Sequence, residues 1–273
     1  MKIAAQDHFE KQTAEAFSAQ APVFDKLYQE DGIIRYKRER VRSHLEQYLT
    51  PAASILELNA GTGEDALYLL EKGYRVHATD LSEKMIGQLA AKTIAYHQQG
   101  CISYQQLSYH QLENLNNKGP YDCIFSNFAG LNCTGSLDAV LQQLPVLLKK
   151  GGIITLVILP GFCLWELLLI FRGKFKTALR RLFAVNGSPA KIDEYHFRCW
   201  YYHPRYIIKH LNKTCDLLSI EGLCSIVPPS YLENFSDKYP RLFRWLCKQE
   251  NKYKQSKPWK YIGDYYIISF RKK

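Results

Sequence analysis

"SILELNAGTGED", Ser54 to Asp65, decides how this chain reads. Ile55, Leu56 and Leu58 are the apolar residues of a short buried strand. Asn59, Ala60, Gly61, Thr62 and Gly63 form a loop of small, turn-prone residues, and a helix begins near Glu64. Strand, glycine loop and helix make a nucleotide cradle, because the backbone can approach a ligand closely and the helix start offers free N–H groups. Gly61-Thr62-Gly63-Glu64-Asp65-Ala66 satisfies the dinucleotide pattern GxGxxA, and Asp80 follows at the distance of a ribose-binding acid. Glu57, inside the strand, points another way: an acid there suits a cationic ligand and repels a pyrophosphate.

Outward from this stretch the pattern alternates. A helix over 63–72 stops at Gly73, and a second strand runs Tyr74 to Asp80. Ser82 caps the next helix, with Glu83 in its first turn, and Gly100 ends it after about Gln98. Strands follow at about 101–107 and at Tyr121 to Asn127, then a helix from about Ser136 to Lys149. Gly151 and Gly152 turn the chain into a fifth strand. Strands alternating with helices through short loops predict a doubly wound α/β sheet, Rossmann-like, with helices on both faces.

Helices are expected over 4–21 and 33–49 ahead of the first strand. Beyond Pro160, residues 161–200 read as helical and aromatic-rich, "HPRYIIKHL" restarts a helix, and Leu217 to Val227 and Tyr261 to Phe270 read as two last strands. A helical stretch near 238–252 lies between them. The expected organisation is an N-terminal helical cap over 1–50, a ligand-binding core over 51–160, a helical insertion or lid over 161–215, and a C-terminal strand pair with an inserted helix over 216–273.

With 47% hydrophobic and 23% charged residues among 273, the chain is globular rather than disordered. The formal charge of +10 is scattered, with its densest clusters at "RYKRER" and "RGKFKTALRR", so a solvated face explains it better than a nucleic-acid surface. The first residues lack an apolar core, so no secretory signal is read there. Eight cysteines without a CxxC pair are expected to stay reduced in a cytoplasmic protein and to bind no metal. The apolar run Ile153 to Phe171 is long enough to span a bilayer, but Pro160-Gly161 divides it into a strand and an amphipathic helix.

Four segments in order, "ILELNAGTGED", "VHATDLSEKMI", "YDCIFSN" and "LLKKGGIITLVI", resemble the class I S-adenosylmethionine-dependent methyltransferases. The resemblance covers roughly residues 41–160 and continues weakly in "WYYHPRYIIKHL". It implies a seven-stranded sheet with an antiparallel last strand, S-adenosyl-L-methionine as cofactor, and a binding set of Glu57, Asn59, Ala60, Gly61, Gly63, Asp80, Leu81, Met85, Ser108, Tyr109 and Asn127. In those terms Glu57 faces the ammonium end, the glycines admit the ligand, and Asp80 accepts from both ribose hydroxyls.

Two departures stand out. Asn59 holds the place of the first glycine; its short amide makes it the best non-glycine residue for a positive φ. Ser108 holds the place where many relatives carry an Asp for the adenine amino group.

Methyl transfer from a sulfonium needs alignment and exclusion of water, and a base only where the acceptor must lose a proton. His196, His203 and Tyr28 are the residues considered for that base. The aromatic residues of 161–203 suit an apolar or aromatic small-molecule acceptor, similar to those of the quinone-precursor branch. "LWELLLIFRGKFKTALRRLF" sets apolar residues beside basic ones, as peripheral contact with an anionic membrane requires. A non-catalytic binder on the same fold and an NAD(P)-dependent oxidoreductase are the competing readings. Methylation of a base amino group is disfavoured because "SNFAGL" stands where a "DPPY"-like element is needed.

Overall fold

Strand β1 (Ser54–Leu58) runs through the interior with only Ser54 partly exposed. A computed structural model describes residues 2–29, 31–173, 175–184, 186–192, 194–232 and 234–273, with the side chains of 2–8, 28, 29 and 172 excepted. The other strands are β2 (Arg75–Asp80), β3 (Ile102–Gln106), β4 (Tyr121–Ser126), β5 (Leu148–Ile158), β6 (Ser188–Ile192), β7 (Tyr195–Cys199), β8 (Cys215–Leu223) and β9 (Tyr265–Lys272). Seven of them form one sheet in the order β3-β2-β1-β4-β5-β9-β8. β1 to β5 pair in parallel, and β9 runs antiparallel to both β5 and β8. The seven-stranded Rossmann-like sheet with an antiparallel last strand is therefore as expected. Strand order reverses between β1 and β4, so a crevice opens beyond their C-terminal ends.

Three helices precede the sheet: α1 (Lys2–Gln20), α2 (Phe24–Gln29) and α3 (Gly32–Glu46). Asp31 starts α3 by accepting from the N–H groups of Ile33 and Ile34 at 2.7 and 2.9 Å. Between the strands lie α4 (Glu64–Glu71), α5 (Glu83–Lys92), α6 (Ile94–Gln98), α7 (Leu137–Gln143), α8 (Leu164–Leu168), α9 (Phe175–Leu179), α10 (Pro204–Leu211), α11 (Phe235–Lys238) and α12 (Pro240–Tyr253). Side chains alternate across the strands and build two cores. Leu56, Leu58 and Ile124 pack with α7 and α10 on one face. Ile55, Cys123 and Phe125 pack with α3 and α4 on the other. By the same alternation Glu57 lies on the α3 side, which brings it beneath the arginines of that helix.

Two expectations are corrected. The helix expected from Ser82 to Gln98 breaks at Thr93, whose hydroxyl donates to the Leu89 carbonyl at 2.8 Å and competes with the regular ladder. The segment 161–200 is helical only in its first half; β6 and β7 then pair as an antiparallel hairpin. The hairpin is fixed by distant partners. Phe197 packs on Phe17 of α1 at 5.9 Å between ring centres, and Trp200 packs on Phe9 at 5.6 Å. The apolar run Ile153 to Phe171 is divided between β5 and α8, and no helix among the described residues is long and apolar enough to cross a membrane.

One buried carboxylate ties the far end of β8 to α12. Glu250 accepts from the N–H groups of Cys224, Ser225, Ile226 and Val227 at 2.8–2.9 Å and from the Tyr36 hydroxyl at 3.0 Å. Arg40 lies 3.7 Å from the same carboxylate and 2.9 Å from Glu221.

Candidate functional site

The loop after β1 turns through three positive φ angles, +48° at Asn59, +57° at Gly61 and +80° at Gly63. Gly63 admits no side chain, because a Cβ there would lie 2.7 Å from Leu89 of α5. Asp80, at the end of β2, shapes the loop from the other side. Its two oxygens accept from the N–H of Gly61 at 2.9 Å and of Ser82 at 2.8 Å. Burial raises the Asp80 carboxyl above its ordinary pKa, against the pull of those backbone bonds.

Asn59 replaces glycine by making its side chain structural. Its amide donates to the Asn127 carbonyl at 3.1 Å and accepts from the Ser126 hydroxyl at 2.8 Å, joining the end of β1 to the end of β4. The space it fills is the space above Gly130, where a Cβ would lie 2.2 Å from the amide carbon and nitrogen. We predict that Gly130→Ala costs about 1–3 kcal/mol through overpacking. Asn59→Gly should remove most of that cost, which urea unfolding of the double-mutant cycle measures. An equal loss with and without Asn59 would show that the two residues do not share this space.

A cavity of about 130 Å3 opens just past the ends of β1 to β4. Asn59, Gly61, Asp80, Leu81, Met85, Tyr109 and Asn127 line it. Glu57, Ala60, Gly63 and Ser108 do not. Glu57 lies behind the wall, almost fully buried, and its Oε2 has no hydrogen-bond partner. Burial and then Asp65 push its pKa well up, against the opposing pull of Arg42 and Arg38.

Asp65 organises the underside of the cavity. It accepts from Arg42 at 2.8 Å and from the Asn127 amide at 2.6 Å, with Arg38 at 3.5 Å. Asn127 in turn accepts from the Phe128 N–H at 2.7 Å, and Phe128 and Ala129 hold φ of +45° and +61°. Such angles mark a constrained turn beside the cavity.

The remaining wall comes from the N-terminal helices. α1 supplies Glu10, Thr13, Ala14 and Phe17, and α2 supplies Phe24. Ser108 does not face the ligand space. Its hydroxyl donates to Glu10 at 2.6 Å, and His110 approaches the other oxygen of Glu10 at 3.3 Å. A carboxylate beside the β3 loop thus comes from the N-terminal helix. A second tie fixes α2, where Asp25 accepts from the Thr62 hydroxyl of the glycine loop at 2.6 Å.

His196 is exposed on β7. His203 is exposed at the start of α10, accepts from the Arg205 N–H at 3.1 Å, and stacks on Tyr261. Neither lines the cavity. The Tyr28 side chain lies outside the described residues. The 161–203 insertion contributes no lining residue to this cavity; it braces α1 instead.

Residues 55–152 match the family model described as a methyltransferase domain. This core is similar to a methyltransferase domain, and its fold is shared with a solved S-adenosylmethionine-dependent methyltransferase of Listeria monocytogenes, at a TM-score of 0.57 and 17% identity over 85% of this chain and 96% of that one. The chain is 30% identical over 136 residues to an uncharacterized methyltransferase of Synechocystis sp., covering 47% of this chain and 59% of that protein. It is 33% identical over 118 residues to a methyltransferase-named protein of Geobacillus sp., covering 42% of this chain and 46% of that one. The chain thus matches about half the length of these curated relatives.

Beyond the methyltransferase domain the likeness is one of fold. The 1,6-didemethyltoxoflavin-N1-methyltransferase of Burkholderia thailandensis, solved with its substrate and S-adenosylhomocysteine, superposes with a TM-score of 0.57 at 15% identity. That match covers 98% of this chain and 90% of that chain.

Proposed function

We propose that the protein transfers a methyl group from S-adenosyl-L-methionine directly to a small acceptor carrying an apolar or aromatic body. The observation that carries this reading is that Asp80 and Glu10 line one cavity at the switch point of the sheet. The bound cofactor supplies an electrophilic methyl on a sulfonium with a good leaving group. Asp80 accepts from the ribose hydroxyls, and Glu10, held by Ser108, accepts from the adenine amino group. Leu81, Met85 and Tyr109 enclose the adenine, while Asn59, Gly61 and Asn127 face the amino-acid end. Glu57, behind the wall and pushed toward its neutral form by burial, is left out of direct contact with the ligand. Phe17, Phe24 and Phe128 line the same cavity and exclude water from it.

Calorimetric titration with S-adenosylhomocysteine tests this directly. Saturable one-to-one binding below ~100 µM, with no binding of NADH, is the expected result. No binding up to a concentration on the order of 1 mM would remove the reading in favour of another ligand on this fold.

A peripheral membrane contact is a second part of the proposal. Phe171 and Phe183 are 87% and 78% exposed, and Phe175 also stands out beside Lys176 and the half-exposed Arg180. Co-sedimentation with anionic liposomes at low salt is expected, and its absence would sink the contact.

A further inference from the structure

A second cavity of about 170 Å3 adjoins the first and shares Phe17, Phe24 and Phe128 with it. Its far side is not neutral. Lys37 and Arg38 of α3 line it together with Ser230 and Tyr265. The Lys37 ammonium is 3.1 Å from the Ser230 hydroxyl and 4.9 Å from the centre of the Tyr265 ring. The Arg38 guanidinium lies 4.9 Å from the Phe128 ring, on the partition between the cavities.

These cations are incompletely neutralised. Lys37 approaches Asp264 at 3.4 Å, but Arg181 holds the same carboxylate at 2.7 Å and Glu166 at 2.8 Å. Arg180 also binds Glu166. Arg38 reaches Asp65 at 3.5 Å, where Arg42 is already closer. Five cations, Arg180 half-exposed among them, therefore share three carboxylates around and beneath this cavity, while Glu57, Asp80 and Glu10 lie toward the adjoining one. Buried charge in excess of its partners favours an incoming opposite charge, and a guanidinium matches the two oxygens of a carboxylate or phosphate.

We infer that the second cavity is the acceptor subsite and that the acceptor is an oxyanion, a carboxylate or phosphate, carried on an aromatic or apolar body. The inference rests on the methyltransferase reading for the word acceptor, and on the cavity alone for the anion. The rings shared with the first cavity hold the apolar body, and Lys37, Arg38 and the Ser230 hydroxyl take the oxyanion. A cationic acceptor is rejected twice, by these residues and by the positive donor beside it.

The test titrates the S-adenosylhomocysteine-loaded protein with benzoate, phenyl phosphate, benzamide and benzylamine, read by saturation-transfer NMR. Benzoate or phenyl phosphate should bind at least about tenfold more tightly than benzamide, and benzylamine should not bind. The order of the two anions tells carboxylate from phosphate. Arg38→Gln should bring the anion-to-amide ratio near unity, whereas Arg38→Lys should keep most of it. Benzamide binding as well as the anions, or a ratio unmoved in Arg38→Gln, overturns the inference. The wild-type series decides the matter even where a variant fails to fold. Should S-adenosylhomocysteine not bind at all, the methyltransferase reading fails, and the same series on the ligand-free protein still decides whether the cavity selects anions.

Discussion

Replacing Asp80 with alanine should lower the affinity for S-adenosylhomocysteine by about 100-fold or more, a loss of two charge-assisted hydrogen bonds. The size of the effect follows from the double duty of this side chain. Its oxygens hold the N–H groups of Gly61 and Ser82, so they fix the glycine loop and the start of α5. The same residue lines the cavity in which the proposed function puts the ribose. Alanine removes the ligand contact and also releases the loop that contacts the rest of the ligand. Asp80→Asn keeps one acceptor oxygen and should lose less. Calorimetry measures both, and circular dichroism checks that the sheet survives. An affinity within threefold of wild type in Asp80→Ala would remove Asp80 from the site.

The largest stability effect should come from Glu250. Glu250→Gln is expected to destabilise the chain by about 3–5 kcal/mol in urea unfolding, the usual cost of stripping one partner from a buried ionic network. The carboxylate takes four consecutive backbone N–H groups after β8. A glutamine has one oxygen for those donors and turns an amide N–H against the rest. It also removes one of the two carboxylates beside Arg40, leaving Glu221 and the Tyr36 hydroxyl. Cofactor affinity should change little, because Glu250 lies outside both cavities. A loss below 1 kcal/mol would mean that water satisfies those N–H groups instead.

Local signals carried much of the fold. β1 spans Ser54–Leu58 as its apolar run predicts, and Asp80 ends β2 where the ribose acid was expected. These elements are short, strongly patterned and bounded by turn residues, so neighbours in sequence fix them. Glu10 was not legible, because its role depends on Ser108, ninety-eight positions away. The β6–β7 hairpin was missed for a related reason: Phe197 and Trp200 settle on α1, and local propensity yields to that packing. Asn59 was legible as a residue fit for positive φ. Its partnership with Gly130 needed coordinates.

The three rings common to both cavities act as a party wall between two rooms. Swinging Phe17 or Phe128 to widen one room narrows the other. Under the proposed function, the acceptor would then be limited to molecules that fit the room left once the donor's is furnished.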